Sequence, residues 1–257
     1  MSIRGFLMGA GNMANIVFRC CRASMVIRKK FMKSTLFFII TLLLFFPGRI
    51  LAFNSGNCHC FRHRSYDVHN KFAADDYLLA TGYNSLLARV FHIAKRTIIM
   101  KKMQGGINGD DLVIGLYIRE KTGKPLNLLL SVRDNGGSWQ QILAAARTKT
   151  TDIDPVLHAV ADGVSGENLA GMITGYMLEN RYNCSPATLE KLRNAGFTDR
   201  ESNLLLALSE QTGARLDQLQ KMVRIQKMSW AEIGHHFGLT PAAVGKKILS
   251  GNPAQLR

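Results

Sequence analysis

Apolar residues along most of this chain recur every three or four positions rather than every second one. From Ala73 onward they come in short runs, each closed by Gly, Pro or Asp. That spacing is the pattern of amphipathic helices and lacks the sustained alternation of strands. It predicts helices over 75–90, 94–103, 109–121, 126–134 and 138–147. Asp110 and Asp111 favour the start of the third helix, where carboxylates meet the positive end of the helix dipole, and Gly123 supplies its stop. Ser138 is a natural N-cap for the fifth. The run Leu126, Leu128, Leu129, Leu130, Val132 would also suit a buried strand, but its later counterpart (Leu216, Leu219, Met222, Val223) has helical spacing.

That counterpart belongs to a longer self-similarity. Residues 116–142 read LYIREKTGKPLNLLLSVRDNGGSWQQI, and residues 206–233 read LALSEQTGARLDQLQKMVRIQKMSWAEI. At an offset of 91, Leu87 pairs with Leu178, Ile93 with Cys184, Thr97 with Thr188 and Gly105 with Gly196. The offset becomes 90 for Leu116/Leu206, Glu120/Glu210, Thr122/Thr212 and Gly123/Gly213. It returns to 91 for Arg133/Arg224, Ser138/Ser229 and Trp139/Trp230, which takes in both tryptophans of the chain. Recurrence at a fixed period is the signal of repeat architecture. The expectation is an all-α fold of two tandem modules of short helices, 73–150 and 151–257, from a duplicated unit of about 90 residues.

The pairing assigns roles. Cys184 stands where Ile93 stands, so it reads as a small buried hydrophobe rather than a disulfide partner. Thr-Gly in both copies reads as a helix end. Ser-Trp reads as a helix start with an aromatic packed on the preceding helix. A nucleophilic role for Ser138 or Ser229 lacks a histidine base common to both copies. Glu120 and Glu210 read as solvated helix-end charges, and Arg133 and Arg224 as helix-end cations. His92, His158, His235 and His236 have no matched histidine and read as surface or satisfied side chains. No catalytic residue is assigned.

Charge changes the picture only once it is located. The net charge of +15 includes eight Lys/Arg and no acid within residues 1–52. The remainder is a mildly basic, mixed-charge domain, which biases partners toward anions and says little more. Within the basic stretch, 26–33 is a positively charged lead, 35–46 (TLFFIITLLLFF) is an unbroken apolar run, and Pro47-Gly48 breaks it. Ala52 then offers a cleavage position. This is secretory signal layout. An uncleaved inner-membrane anchor over 35–52 is the alternative, although twelve residues fall short of the roughly 20 that span a bilayer. Residues 1–24 read as a mis-assigned leader and 25–52 as the signal peptide. Gly9-Ala10-Gly11-Asn12-Met13-Ala14 fits a dinucleotide-binding fingerprint but has no acid within reach and a signal sequence behind it, so no cofactor is expected from it.

Residues 53–72 form a Cys/His segment, with Cys58, His59, Cys60 and His63 close together. Three readings stand. Cys58 and Cys60 form a C-x-C disulfide in an oxidising compartment. Cys58, His59, Cys60 and His63 hold a soft or borderline metal, the one cofactor the chain suggests. Or the cysteines are a redox-active pair or free thiols.

At the other end, Trp230 is followed by AEIGHHFGLTPAAVGKKIL. This resembles the helix-turn-helix of sigma factors and response regulators. Ile233, Phe237, Leu239 and Val244 stand at its apolar positions and Gly238 at its turn, while Gly234 departs from the usual Ala. The resemblance implies a DNA-reading helix from Thr240, with Lys246 and Lys247 at phosphate. The export signal argues against this, as does the first copy, which continues LAAARTKTTD without a glycine turn. From Cys58 onward the chain also resembles exported bacterial proteins that combine a CHCF-R start with helical modules of the form T-G-x-x-L…V-R…S-W-x-x-I. That resemblance implies localisation and fold and brings no assigned activity. The resulting expectation is an exported periplasmic or secreted protein with a structural or protein/peptide-binding role in the envelope. Catalysis is not expected, nucleic acid is disfavoured, and membrane contact is confined to an uncleaved N-terminal segment.

Overall fold

The structure, a computed structural model, describes residues 63–104, 106–146 and 154–251. The expectations that concern the leader, the signal, Ala52, Cys58, His59 and Cys60 lie outside those residues. The chain divides between Phe53 and Asn54, and every described residue belongs to the second unit.

Among the described residues there are twelve α-helices and no strand, so the fold is all-α. The first six are α1 (Asp75–Val90), α2 (Lys95–Gln104), α3 (Gly109–Thr122), α4 (Leu126–Asp134), α5 (Trp139–Ala145) and α6 (Pro155–Ala161). The next six are α7 (Gly166–Tyr182), α8 (Pro186–Asn194), α9 (Asp199–Thr212), α10 (Leu216–Arg224), α11 (Trp230–His236) and α12 (Pro241–Ser250).

Short helices need well-made ends, because each leaves unpaired N–H and C=O groups at its termini. Ser138 begins α5 and Ser229 begins α11, each in a reciprocal capping box, with Gln141 and Glu232 respectively. Thr198 and Glu201 do the same for α9. Asn108 caps α3. Proline occupies the first turn of α6, α8 and α12, where its missing N–H is not needed.

Among the described residues ten have left-handed φ, and eight of them fall in pairs, with Gly163 and Gly238 standing apart. His92 (φ 49°) answers Asn183 (φ 50°), Gly123 (φ 68°) answers Gly213 (φ 73°), and Gly136 (φ 87°) answers Lys227 (φ 55°). Gly196 (φ 79°) is answered, at an offset of 90, by Gly106 (φ 58°). The register therefore shifts inside α2, which at ten residues is one longer than α8. By the helix bounds it shifts back only after α10, where four residues precede Ser229 against three before Ser138, so Arg224 stands opposite Asp134 and not, as the sequence pairing had it, opposite Arg133.

Each run's first helix packs on the other run. α1 is covered by α9, α11 and α12, and α7 by α3 and α6, while α1 and α7 touch each other. One cluster of buried apolar side chains runs from Leu78 to Ile248 through both. Val244 and Ile248 of α12 are fully buried against this core, worth roughly 1.5–3 kcal/mol each in apolar area removed from water. The close approach of α12 to α1 needs Gly245, since a Cβ there would stand 2.8 Å from Thr81 Cγ2 and 3.2 Å from Ser85 Oγ. Asp75, at the start of α1, accepts the Trp230 and Ala231 N–H groups of α11 at 3.1 and 2.8 Å.

Candidate functional site

Where the two runs meet, a cleft of about 630 Å³ opens, lined by parts of α1, α3, α7 and α9. Its floor includes matched positions. Tyr83 of α1 and Thr174 of α7 are 91 residues apart, and their hydroxyls are hydrogen-bonded at 2.8 Å. Four carboxylates line it: Asp110, Glu167, Asp199 and Glu201, with Arg200 among them. Each sits in the first turn of its helix, where the dipole favours an acid.

The four are not equivalent. Glu201 is occupied with the cap of α9, accepting the Thr198 N–H at 2.8 Å. Asp199 is paired with Arg193 at 3.1 Å. Asp110 is held above the usual carboxylate range, chiefly by burial; Arg200 pulls it down, and the like charges of Glu167 and Asp111 push it up. Lys102, like Arg200, acts to pull it down.

Basic groups stand around the Tyr83 ring. The Arg200 guanidinium lies 5.5 Å from its centroid and the Lys102 amine 5.6 Å. Lys102 is only 6% exposed and donates to Asn84 Oδ1 at 2.7 Å. Burial pushes its amine down to about 7, with Arg200 acting in the same direction and Asp110 against it. Burial likewise pushes the Tyr83 phenol up to about 12, partly offset by its bond to Thr174. Tyr83 therefore keeps its proton at neutral pH, and the cleft offers carboxylates and hydroxyls rather than a phenolate. A second concavity, about 360 Å³ and mainly apolar, lies between α4 and α5, lined by Leu128, Leu129, Val132 and Ile142.

The residues singled out in the sequence are scattered. His63 is exposed at the first described position. Among the described residues no three His, Cys, Asp or Glu side chains are grouped to hold a metal ion. Cys184 is a free, half-buried thiol packed against the core, its Sγ 3.6 Å from the Leu178 carbonyl, and burial pushes it up. Thr240 is exposed, but its hydroxyl caps α12 by accepting the Ala243 N–H at 3.2 Å. Lys246 and Lys247 are exposed on the face of α12 away from α1, and Gly238 makes the turn before that helix with φ 69°.

Several readings need correction. Trp139 meets α3 as well as the helix just before it: its Nε1 donates to Asp111 of α3 at 2.8 Å and its ring meets Gly115, while the Arg133 guanidinium of α4 lies 6.0 Å from the ring centroid. Glu210 is not a merely solvated charge, since it takes both terminal nitrogens of the buried Arg181 at 2.9 and 3.0 Å. Arg133 does more than neutralise a helix end, bonding Asp111 at 3.0 Å and the Gly137 carbonyl at 3.1 Å. The cleft residues Tyr83, Asp110, Glu167 and Arg200 were missed. Their signal in the sequence, a cluster of first-turn acids, has no meaning until the three helix starts are brought together.

Compared with known proteins, the chain matches no family model, no curated protein and no solved structure.

Proposed function

We propose that this chain is an exported, non-catalytic binding protein of the bacterial envelope, built on a duplicated helical unit. The junction cleft receives a cationic side chain of a partner protein or peptide. One observation carries the reading: Asp110 and Glu167 line the same cleft and repel each other. A lysine or arginine placed between them would replace repulsion with two charge-assisted contacts. Each of the three helix starts has one N–H met by its own cap, Asn108, Ser165 or Thr198, and carries an acid in its first turn, which disfavours an anion there.

The apolar run 35–46 behind a basic lead supports export. The paired left-handed residues support duplication. Fluorescence anisotropy with a labelled tetralysine peptide tests the cleft. Binding should weaken about tenfold in Asp110→Asn/Glu167→Gln, fall with added salt, and fall at acid pH as Asp110 protonates, since each exposed charge contact is worth up to ~1 kcal/mol. Equal binding by the variant would remove the cleft from the account. A reporter fused after Arg257 tests export, and activity in the cytoplasm would contradict it.

The α11–Gly238–α12 turn with exposed Lys246 and Lys247 supports a second reading, helix-turn-helix contact with DNA. In that case Lys246→Gln/Lys247→Gln would weaken binding to a DNA duplex and leave tetralysine binding intact.

A further inference from the structure

We infer that the face carrying Val68, Phe72 and Ile225 docks on an anionic lipid surface. These three side chains are 70%, 56% and 72% exposed. They come from parts of the sequence that are far apart and that the fold brings together. The segment before α1 is pinned along α11: the Tyr66 ring stacks on His235 at 4.8 Å, and the Ser229 hydroxyl donates to the Lys71 carbonyl at 2.5 Å. Lys71 and Phe72 therefore stand beside Ser229, at the end of the loop from α10 that carries Ile225.

Lysines interleave with these apolar side chains. The Lys71 amine lies 5.3 Å from the Phe72 ring centroid. Lys221 precedes Ile225 by one helical turn, its carbonyl accepting the Ile225 N–H at 2.9 Å. Lys227 follows two residues later and is exposed. The stretch 221–228 contains no acid. Long basic side chains beside short apolar ones suit a headgroup boundary: the apolar tips enter, and the ammonium groups stay at phosphate depth.

The fold itself does not require this loop. Its counterpart after α4 closes with one residue fewer, through Asn135, Gly136 and Gly137, and carries no aliphatic side chain. Where that loop uses Gly136 at positive φ, the second uses Lys227 at φ 55°, a conformation that disfavours side chains. Both departures, an extra isoleucine and a strained lysine, add what a lipid surface recognises. Nucleic acid would meet the lysines equally, but of the three apolar side chains only Phe72 offers a base a ring to stack on.

The test places a reporter on the face. Ile225→Trp puts an indole at an exposed position, against the constant background of Trp139 and Trp230, which are 5% and 6% exposed. The full chain is used, because its run 35–46 should partition into either lipid, and only position 225 reads the face. With phosphatidylglycerol vesicles, emission should shift to the blue and be quenched by brominated acyl chains; with phosphatidylcholine vesicles it should not. Adding Lys221→Gln and Lys227→Gln should lower the docking constant read at position 225 by roughly 25-fold, about fivefold per basic side chain at an anionic surface. Absence of the shift on phosphatidylglycerol, an equal shift on phosphatidylcholine, or indifference to the two lysines would overturn the proposal. So would a shift produced by a single-stranded oligonucleotide in place of vesicles, which would assign the face to nucleic acid.

Discussion

Replacing Lys102 by methionine should reverse the stability ranking of variant and wild type as pH rises. The amine is 6% exposed, and burial pushes it down to about 7 from an ordinary 10.5. Below about 7 both folded and unfolded chains carry the charge, and the folded state bears the whole penalty of burying it. Between about 7 and 10.5 only the unfolded chain holds the proton, so stability rises with pH at up to ~1.4 kcal/mol per unit. Above that range the gain is complete. The interval as a whole corresponds to ~5 kcal/mol, a ceiling, because buried charges draw in water and relax their surroundings. Lys102→Met removes this dependence and also the bond to Asn84, which costs ~1 kcal/mol at every pH. The variant should therefore be the more stable protein at pH 6 and the less stable at about pH 11, by urea unfolding. Lys95, pushed down to about 8 by burial, titrates in both proteins and cancels in the difference. Parallel curves for the two proteins would show that Lys102 is solvated in the folded state, refuting the burial argument.

Two further outcomes follow from the junction. Tyr83→Phe or Thr174→Val alone leaves a buried hydroxyl without the 2.8 Å partner it has now and should cost about 1–3 kcal/mol, whereas the double variant should lose less than the sum. A double-mutant cycle by chemical denaturation with zero coupling would disprove the contact. Gly245→Ala should destabilise by about 1–3 kcal/mol through overpacking, because its Cβ would meet Thr81 and Ser85. Gly82→Ala on the facing helix, with its nearest atom at 3.4 Å, should be tolerated. Equal melting temperatures for the two alanine variants would refute the packing argument.

Local structure was legible in the sequence because its causes are local. Ser138 and Ser229 cap, and Gly123 and Gly213 stop, through bonds to residues within four positions. The position of Cys184 against the core followed from Ile93, since matched side chains tend to meet matched surroundings. What failed to show was long-range. Nothing in KRTIIMKKMQ marks Lys102 as the buried lysine while Lys101 stays half-exposed, and only the packing of α2 on α1 selects it. Asp75 looks like any first-turn acid of its own helix, yet it caps α11, whose first residues lie more than 150 positions later. Arg181 and Glu210 are 29 residues apart and on different helices, so no helical spacing rule connects them. The pairing of Gly105 with Gly196 falls on a residue outside those the structure describes.

The packing of α12 on α1 also sets an order in time. A ribosome makes α1 early and α12 last, and Thr81, Ser85 and Gly82 have no lid until Gly245 and Ile248 emerge. The cap that Asp75 provides for α11 waits equally long. Contacts that close so long a loop form slowly, because the chain loses its entropy before it gains the contact. A nascent chain of this design cannot complete its core from its first half alone. It stays open until α12 has been made, so a chain stopped short of Gly245 would leave the α1 face uncovered.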